Sequence, residues 1–257
     1  MRLPYEISEY FLAAADERVP GLIDGLYLHG SVIYGDFWPG CSDVDFVSVL
    51  SHRPDAAEVE ALRDAHHAVA DRYPRPHFDG SHLLASDLAA APDSCPEVPG
   101  TLERDFQPRA RFGVSLVTWH ELADGGITVR GDLSALQIWT DVAALQAFSR
   151  ENLHSYWKLR LEQLRDVPDE VAAGEFAVPW FVLGVTRLHH VLATGRQTSK
   201  TGAGEYALGE FDERWHPIVT DALRLRHTGI RPSRPAAAVA RDNRDYTAMV
   251  IDSALAL

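Results

Sequence analysis

Apolar residues recur at helical spacing over residues 5–18 and stop before Pro20, which predicts an opening helix. Two short apolar runs, residues 25–29 and 45–50, predict strands. Between residues 54 and 72 the alanines and leucines share one face, and Pro54-Asp55 lies near the start, as for an amphipathic helix. Residues 77–84 predict another strand. Residues 89–108 carry Pro92, Pro96, Pro99 and Pro108, too many breaks for regular structure to be expected. After them, G-V-S-L-V-T (113–118) reads as a strand, W-H-E-L-A-D-G-G as a short helix closed by glycines, and residues 127–130 as a last short strand.

From Thr140 the texture changes. D-V-A-A-L-Q-A-F-S-R-E-N-L-H-S-Y-W-K-L-R-L-E-Q-L has no Gly or Pro and predicts a long amphipathic helix. A second helix is expected over 178–194, stopped by Gly195, with further helical segments at 205–208, 216–226 and 241–257. The expected organisation is two domains, 1–140 and 141–257, an α/β half before an all-helical half. No internal repeat is visible.

Composition narrows the functional classes. Hydrophobic residues make up 46% of the 257, so the chain can bury a core. Lys and Arg total 24 against 37 Asp and Glu, a formal charge of −13. That balance argues against non-specific nucleic-acid binding, favours cationic small molecules, and requires any anion site to be built locally. Cys41 and Cys95 make neither a disulfide framework nor a zinc site. No apolar run reaches a membrane span, and the first twenty residues lack a signal peptide's pattern, so a cytoplasmic protein is expected.

The chemistry concentrates in L-Y-L-H-G-S-V-I-Y-G-D-F-W-P-G-C-S-D-V-D-F-V-S-V-L, residues 26–50. Residues two apart on a strand share a face, so Asp43 and Asp45 present adjacent carboxylates while Val44 and Phe46 point into a core. Like charges that close raise each other's pKa, a conflict that a divalent cation removes. Mg²⁺ suits such a site, since it is commonly held by one or two carboxylates plus substrate phosphates. Upstream, Gly30 permits close backbone approach and Ser31 offers a hydroxyl and an N–H to a phosphate. Alone, Asp-x-Asp is an ordinary strand end and Gly-Ser an ordinary turn. Together, eleven residues apart between apolar strands, they imply metal-assisted phosphoryl or nucleotidyl transfer.

This run resembles the signature of the DNA-polymerase-β-like nucleotidyltransferase superfamily: an apolar residue, Gly-Gly/Ser, a loop of about ten residues, then Asp-x-Asp/Glu between apolar residues. The resemblance implies a fold of the α+β class, a mixed-sheet nucleotidyltransferase domain followed by a helical bundle. It implies that Gly30 and Ser31 hold nucleotide phosphates and that Asp43 and Asp45 bind Mg²⁺. The second half, W-F-V-L-G-V-T-R-L-H-H-V-L-A-T-G-R-Q-T-S-K-T-G-A-G-E-Y-A-L, is similar to the C-terminal domain of aminoglycoside 3''- and 9-adenylyltransferases. Their pattern of Arg, Thr-Gly, Lys and aromatic-Ala-hydrophobic falls on Arg187, Thr194-Gly195, Lys200 and Tyr206-Ala207-Leu208. It implies that Lys200 reaches the ATP phosphates, in a cleft between the domains, and places Arg187 among the nucleotide-binding residues. The resemblance is strong over 26–50 and 180–208 and weak over 85–112.

The attacking hydroxyl must lose a proton, which calls for a third carboxylate. Asp79, in F-D-G-S-H-L-L, lies where the superfamily often places a third acidic ligand. Glu103 falls at the family's catalytic base in an ungapped register, although the family's Gly-Glu-Trp is Leu-Glu-Arg here. Glu103 is taken as the base and Asp79 as a metal ligand or structural residue. Streptomycin-modifying relatives carry a Trp and an Asp just before the helix at 180–194. Here D-E-V-A-A-G-E-F-A-V-P-W has no Trp before the acids, and Ala177 or Glu175 stands at the acid's place, which argues against streptomycin. Adjacent His189-His190 make a poor metal pair, and packing is expected for Trp119-His120; Trp38 could cover the nucleotide or cap a hydrophobic edge. The expected activity is Mg²⁺-dependent transfer of AMP from ATP to a hydroxyl of a small cationic acceptor, of the streptomycin/spectinomycin class, by a monomer or weak oligomer. The alternatives are the same chemistry on another metabolite or a protein side chain, or a catalytically silent nucleotide-binding module.

Overall fold

The computed structural model describes residues 2–257. The chain divides into two compact units, Met1–Thr140 and Asp141–Leu257.

The first unit runs α1 (Arg2–Arg18), β1 (Ile23–His29), β2 (Val44–Leu50), α2 (Ala56–Arg72), β3 (Phe78–Leu84), α3 (Ala85–Leu88), β4 (Val98–Leu102), β5 (Asp105–Ala110), α4 (Leu116–Gly125) and β6 (Ile127–Arg130). The strands form one six-stranded sheet in the order β5-β4-β3-β2-β1-β6. Strands β2 and β3 run parallel, joined by α2 as the crossover a parallel pair needs, and the other neighbours are antiparallel. Asp55 and Glu58 close a capping box at the start of α2. Strand alternation divides the core. Leu26, Leu28, Val44 and Phe46 pack with Ile7, Phe11, Leu62 and Val69 of α1 and α2. Tyr27, Val47, Val49 and Leu83 face Trp119 and Leu122 of α4.

Two expectations fail here. Residues 89–97 are irregular as expected apart from a short 3-10 turn, but 98–108 are not: β4 and β5 form a hairpin. Its prolines are tolerated because Pro108 lies on the sheet's edge strand and Pro99 falls where the β4–β5 register shifts, between Val98 and Gly100. Residues 113–118 are not a strand. Ser115 caps a helix, its Oγ accepting from the Thr118 N–H at 3.2 Å, and Leu116 already begins α4. A cap residue and one helical turn had mimicked a short apolar run.

The second unit comprises α5 (Val142–Asn152), α6 (Lys158–Asp166), α7 (Asp169–Ala172), α8 (Ala177–Thr194), α9 (Lys200–Glu210), α10 (His216–Thr228) and α11 (Ala236–Ala256). The long helix expected from 141 is interrupted between α5 and α6 by a π-helical turn, Leu153–Trp157. That turn brings Trp157 against α8, where its ring occupies the space a side chain at Gly184 would need. Leu153, Trp157, Val178, Val182, Val185, Tyr246 and Val250 belong to this unit's own core. Helix α8 stops at Gly195, whose φ of 71° favours glycine. Among the described residues, no helix is long and apolar enough to cross a membrane.

Candidate active site

One end of the first unit's sheet gathers most of the expected residues. Strand β1 runs out at His29 into Gly30 and Ser31, which open a 3-10 turn. Beside it β2 begins, Asp43 standing just before the strand and Asp45 within it. The register pairs His29 with Asp45, and Asp45 with Asp79 of β3. Residues in register on parallel strands face the same way, so the carboxylates of Asp45 and Asp79 lie on the α4 side of the sheet. The hairpin tip completes the edge: the Glu103 N–H donates to Asp79 Oδ1 at 2.9 Å. Glu103 and Arg104 adopt φ of 50° and 77°, left-handed values that turn the hairpin tightly enough for this contact.

The electrostatics of that edge are unfavourable as it stands. Asp79 is 3% exposed. Burial, followed by the charges of Asp43 and Asp45, pushes its pKa up to about 8, offset in part by the Glu103 N–H. Asp43 is better solvated. Its Oδ1 accepts from the His77 N–H at 3.3 Å and lies 3.9 Å from an Arg75 guanidinium nitrogen. Among the described residues, no three His, Cys, Asp or Glu side chains are gathered closely enough to hold an ion unaided. A cation here would draw further ligands from a substrate, as Mg²⁺ does.

The Gly-Ser corner is tightly built. Gly30 has φ of 65°, and a Cβ there would overlap the Asp45 carboxylate. The Ser31 Oγ is buried with no hydrogen-bond partner among the described residues, a polar atom suited to meeting a ligand. These features fit a phosphate-bearing substrate beside a divalent cation.

Two residues of this corner carry no recognisable signal in the sequence. Glu121 of α4 is 3% exposed, and its Oε2 accepts from the Gly30 N–H at 3.1 Å and pairs with His29 Nδ1 at 2.9 Å. The Gly30 N–H is therefore engaged within the protein, which leaves the Ser31 hydroxyl as the corner's orphaned group. For His29, burial lowers the pKa, yet the hydrogen bond and charge of Glu121, with Asp45, outweigh it and raise the pKa overall. Within W-H-E-L-A-D, Glu121 reads as an ordinary helix-surface acid.

Arg187 and Lys200 lie in the second unit. Arg187, on α8, donates through Nε to the Thr198 carbonyl at 2.9 Å. Lys200 opens α9 directly after the cap Ser199, whose Oγ accepts from the Gly202 N–H at 2.9 Å. His189 is tied to Tyr206 and Ser253 at 2.9 and 3.2 Å, a packing role. Trp119 is fully buried and Trp38 part-exposed, its Nε1 donating to Asp36 at 2.8 Å.

The mixed sheet with its helices and the helical region after it together form a nucleotidyltransferase fold. A solved structure with this fold is spectinomycin adenyltransferase AAD(9) from Enterococcus faecialis with ATP and spectinomycin. It matches at a TM-score of 0.69 over 95% of this chain and 99% of that one, with 12% sequence identity. At that identity the likeness establishes the fold alone. No protein-family model matches the chain, and no curated protein sequence matches it.

Proposed function

We propose that this protein transfers AMP from ATP to a hydroxyl of a small cationic acceptor of the spectinomycin and streptomycin class. The observation that carries the reading is the stack of Asp45 and Asp79 in register beside the Gly30-Ser31 corner. Three carboxylates and a buried orphaned hydroxyl at one end of the sheet suit a metal-bound triphosphate better than any purely structural role.

Asp43 and Asp45 would hold Mg²⁺ together with substrate phosphate oxygens, and Asp79, once it ionises, stands beside them as a further candidate ligand. When bound, the ion would neutralise charge on the phosphates and on the departing pyrophosphate. Ser31 would bind a phosphate oxygen. Lys200 and Arg187 are assigned to the triphosphate by their resemblance to the family pattern, and they supply cationic groups in a chain of −13. Glu103, exposed at the hairpin tip, takes the proton from the acceptor hydroxyl. Asp79 is the weaker candidate for that task, because in the metal-free protein it holds its own proton at neutral pH. The acceptor oxygen bonds to the α-phosphorus, and the bond from that phosphorus to the bridging oxygen breaks, releasing pyrophosphate.

The test is pyrophosphate release from ATP and Mg²⁺ across a panel of aminoglycosides and aminocyclitols. Release with spectinomycin and not with streptomycin is expected, given Glu175 just before α8 and Ala177 at its start. ATP binding without turnover of any acceptor would favour a silent nucleotide-binding module, and no binding of ATP would defeat the proposal.

A further inference from the structure

We propose that Glu121 is a positioning residue for the nucleotide: its carboxylate fixes the Gly-Ser corner in the conformation that presents Ser31. The inference rests on the proposed function above. One carboxylate oxygen, Oε2, receives both the Gly30 N–H at 3.1 Å and His29 Nδ1 at 2.9 Å. These two bonds span the peptide at which β1 ends and the 3-10 turn begins. Gly30 stands there at φ of 65°, a conformation glycine reaches without strain but shares with others, so contacts must select it. On one side the Asp45 carboxylate leaves no room for a Cβ. On the other, Glu121 anchors the N–H. The next residue is Ser31, whose hydroxyl is buried and unpartnered among the described residues.

A carboxylate 3% exposed in a helix that packs Trp119 and Leu122 on the sheet is costly to bury unless fully paired. An aliphatic residue would pack there more cheaply, so the pairing has a purpose beyond filling space. His29 is the register partner of Asp45. The same small network therefore ties α4 to the corner and to the carboxylate stack. Groups that orient site residues from behind typically change affinity or activity by about 10- to 100-fold when removed.

The experiment measures binding of ATP with Mg²⁺ by calorimetry on the full chain, for the wild type, Glu121→Ala and Glu121→Gln. Hydrogen exchange of the Gly30 amide is followed in the same proteins. A Gln amide oxygen can still accept both bonds, whereas Ala accepts neither. Expected are a loss of affinity of about 10- to 100-fold with rapid Gly30 exchange in Glu121→Ala, and near-wild-type affinity with a protected Gly30 amide in Glu121→Gln. Wild-type affinity in a folded Glu121→Ala protein overturns the inference. So does an equal loss in both variants, which would show that charge rather than position matters. If Glu121→Ala does not fold, the Gln variant decides: weak binding despite a protected Gly30 amide defeats positioning, and retained binding supports it. A wild type that binds no ATP defeats the proposed function itself. In that case Gly30 exchange still shows whether Glu121 pins the corner.

Discussion

Gly30 is constrained twice, by its left-handed backbone and by the Asp45 carboxylate beside it. Gly30→Ala should therefore lower stability by about 1–3 kcal/mol and abolish ATP binding. Urea unfolding and calorimetry check both, and a variant unchanged in both would show that the corner is looser than described. Asp45 works against stability and, in the proposed reaction, for function. In metal-free protein Asp79 has a folded pKa of about 8, above its unfolded value. The stability tied to its protonated form is full below about pH 4 and is lost as pH rises towards 8. Asp45→Asn removes one like charge and should flatten that decline, while cutting AMP transfer by about 10²–10³-fold, as when a single transition-state stabiliser is removed. Unfolding across pH 5–9 and labelled-AMP transfer measure the two effects, and a decline as steep as the wild type's would disprove the coupling. Asp43, Asp45, Gly30 and Ser31 stand out in the sequence because their spacing is local. Glu121 and His29 do not, since their meeting depends on α4 docking ninety-two positions along the chain.

The β4–β5 hairpin shows where local reasoning stops. Its prolines argued against regular structure, yet an edge position and a register shift accommodate Pro108 and Pro99. Its turn, Glu103-Arg104, lacks the Asn or Gly that marks such turns in a sequence. Arg104→Gly, at φ of 77°, should raise stability by about 1 kcal/mol, since the exposed Arg104–Asp71 pair at 3.7 Å contributes little. A lower urea midpoint would refute the strain. On the sheet's other face, His66 of α2 and His82 of β3 meet through their Nε2 atoms at 3.0 Å among Phe11, Phe46, Phe78 and Phe106. Burial holds both imidazoles neutral, His82 down to about 3 and His66 well below its ordinary value. Depressed folded pKa values mean stability that is full above about pH 6.5 and lost as pH falls towards 3. The His66→Leu/His82→Leu double variant should lose stability less steeply between pH 7 and 4; an unchanged acid limb in urea titrations would contradict this.

Each unit has a hydrophobic core of its own, the second built from Leu153, Trp157, Val182, Tyr246 and their neighbours. A fragment of residues 141–257 should fold alone with a helical spectrum and a cooperative melt; a non-cooperative melt would mean that its core is incomplete. Much of this organisation could be read directly. Helical and strand periodicities, the change of texture at Thr140 and the Gly-Ser and Asp-x-Asp spacing all depend on neighbours a few residues apart, where backbone geometry links pattern to structure. Tertiary packing settled the rest: the hairpin at 98–110, the π-helical turn that seats Trp157, the register that sets Asp79 beside Asp45, and the anchoring of Gly30 by Glu121. These depend on which distant segments share a face, and no local periodicity encodes a pairing between segments that the chain brings together only when it folds.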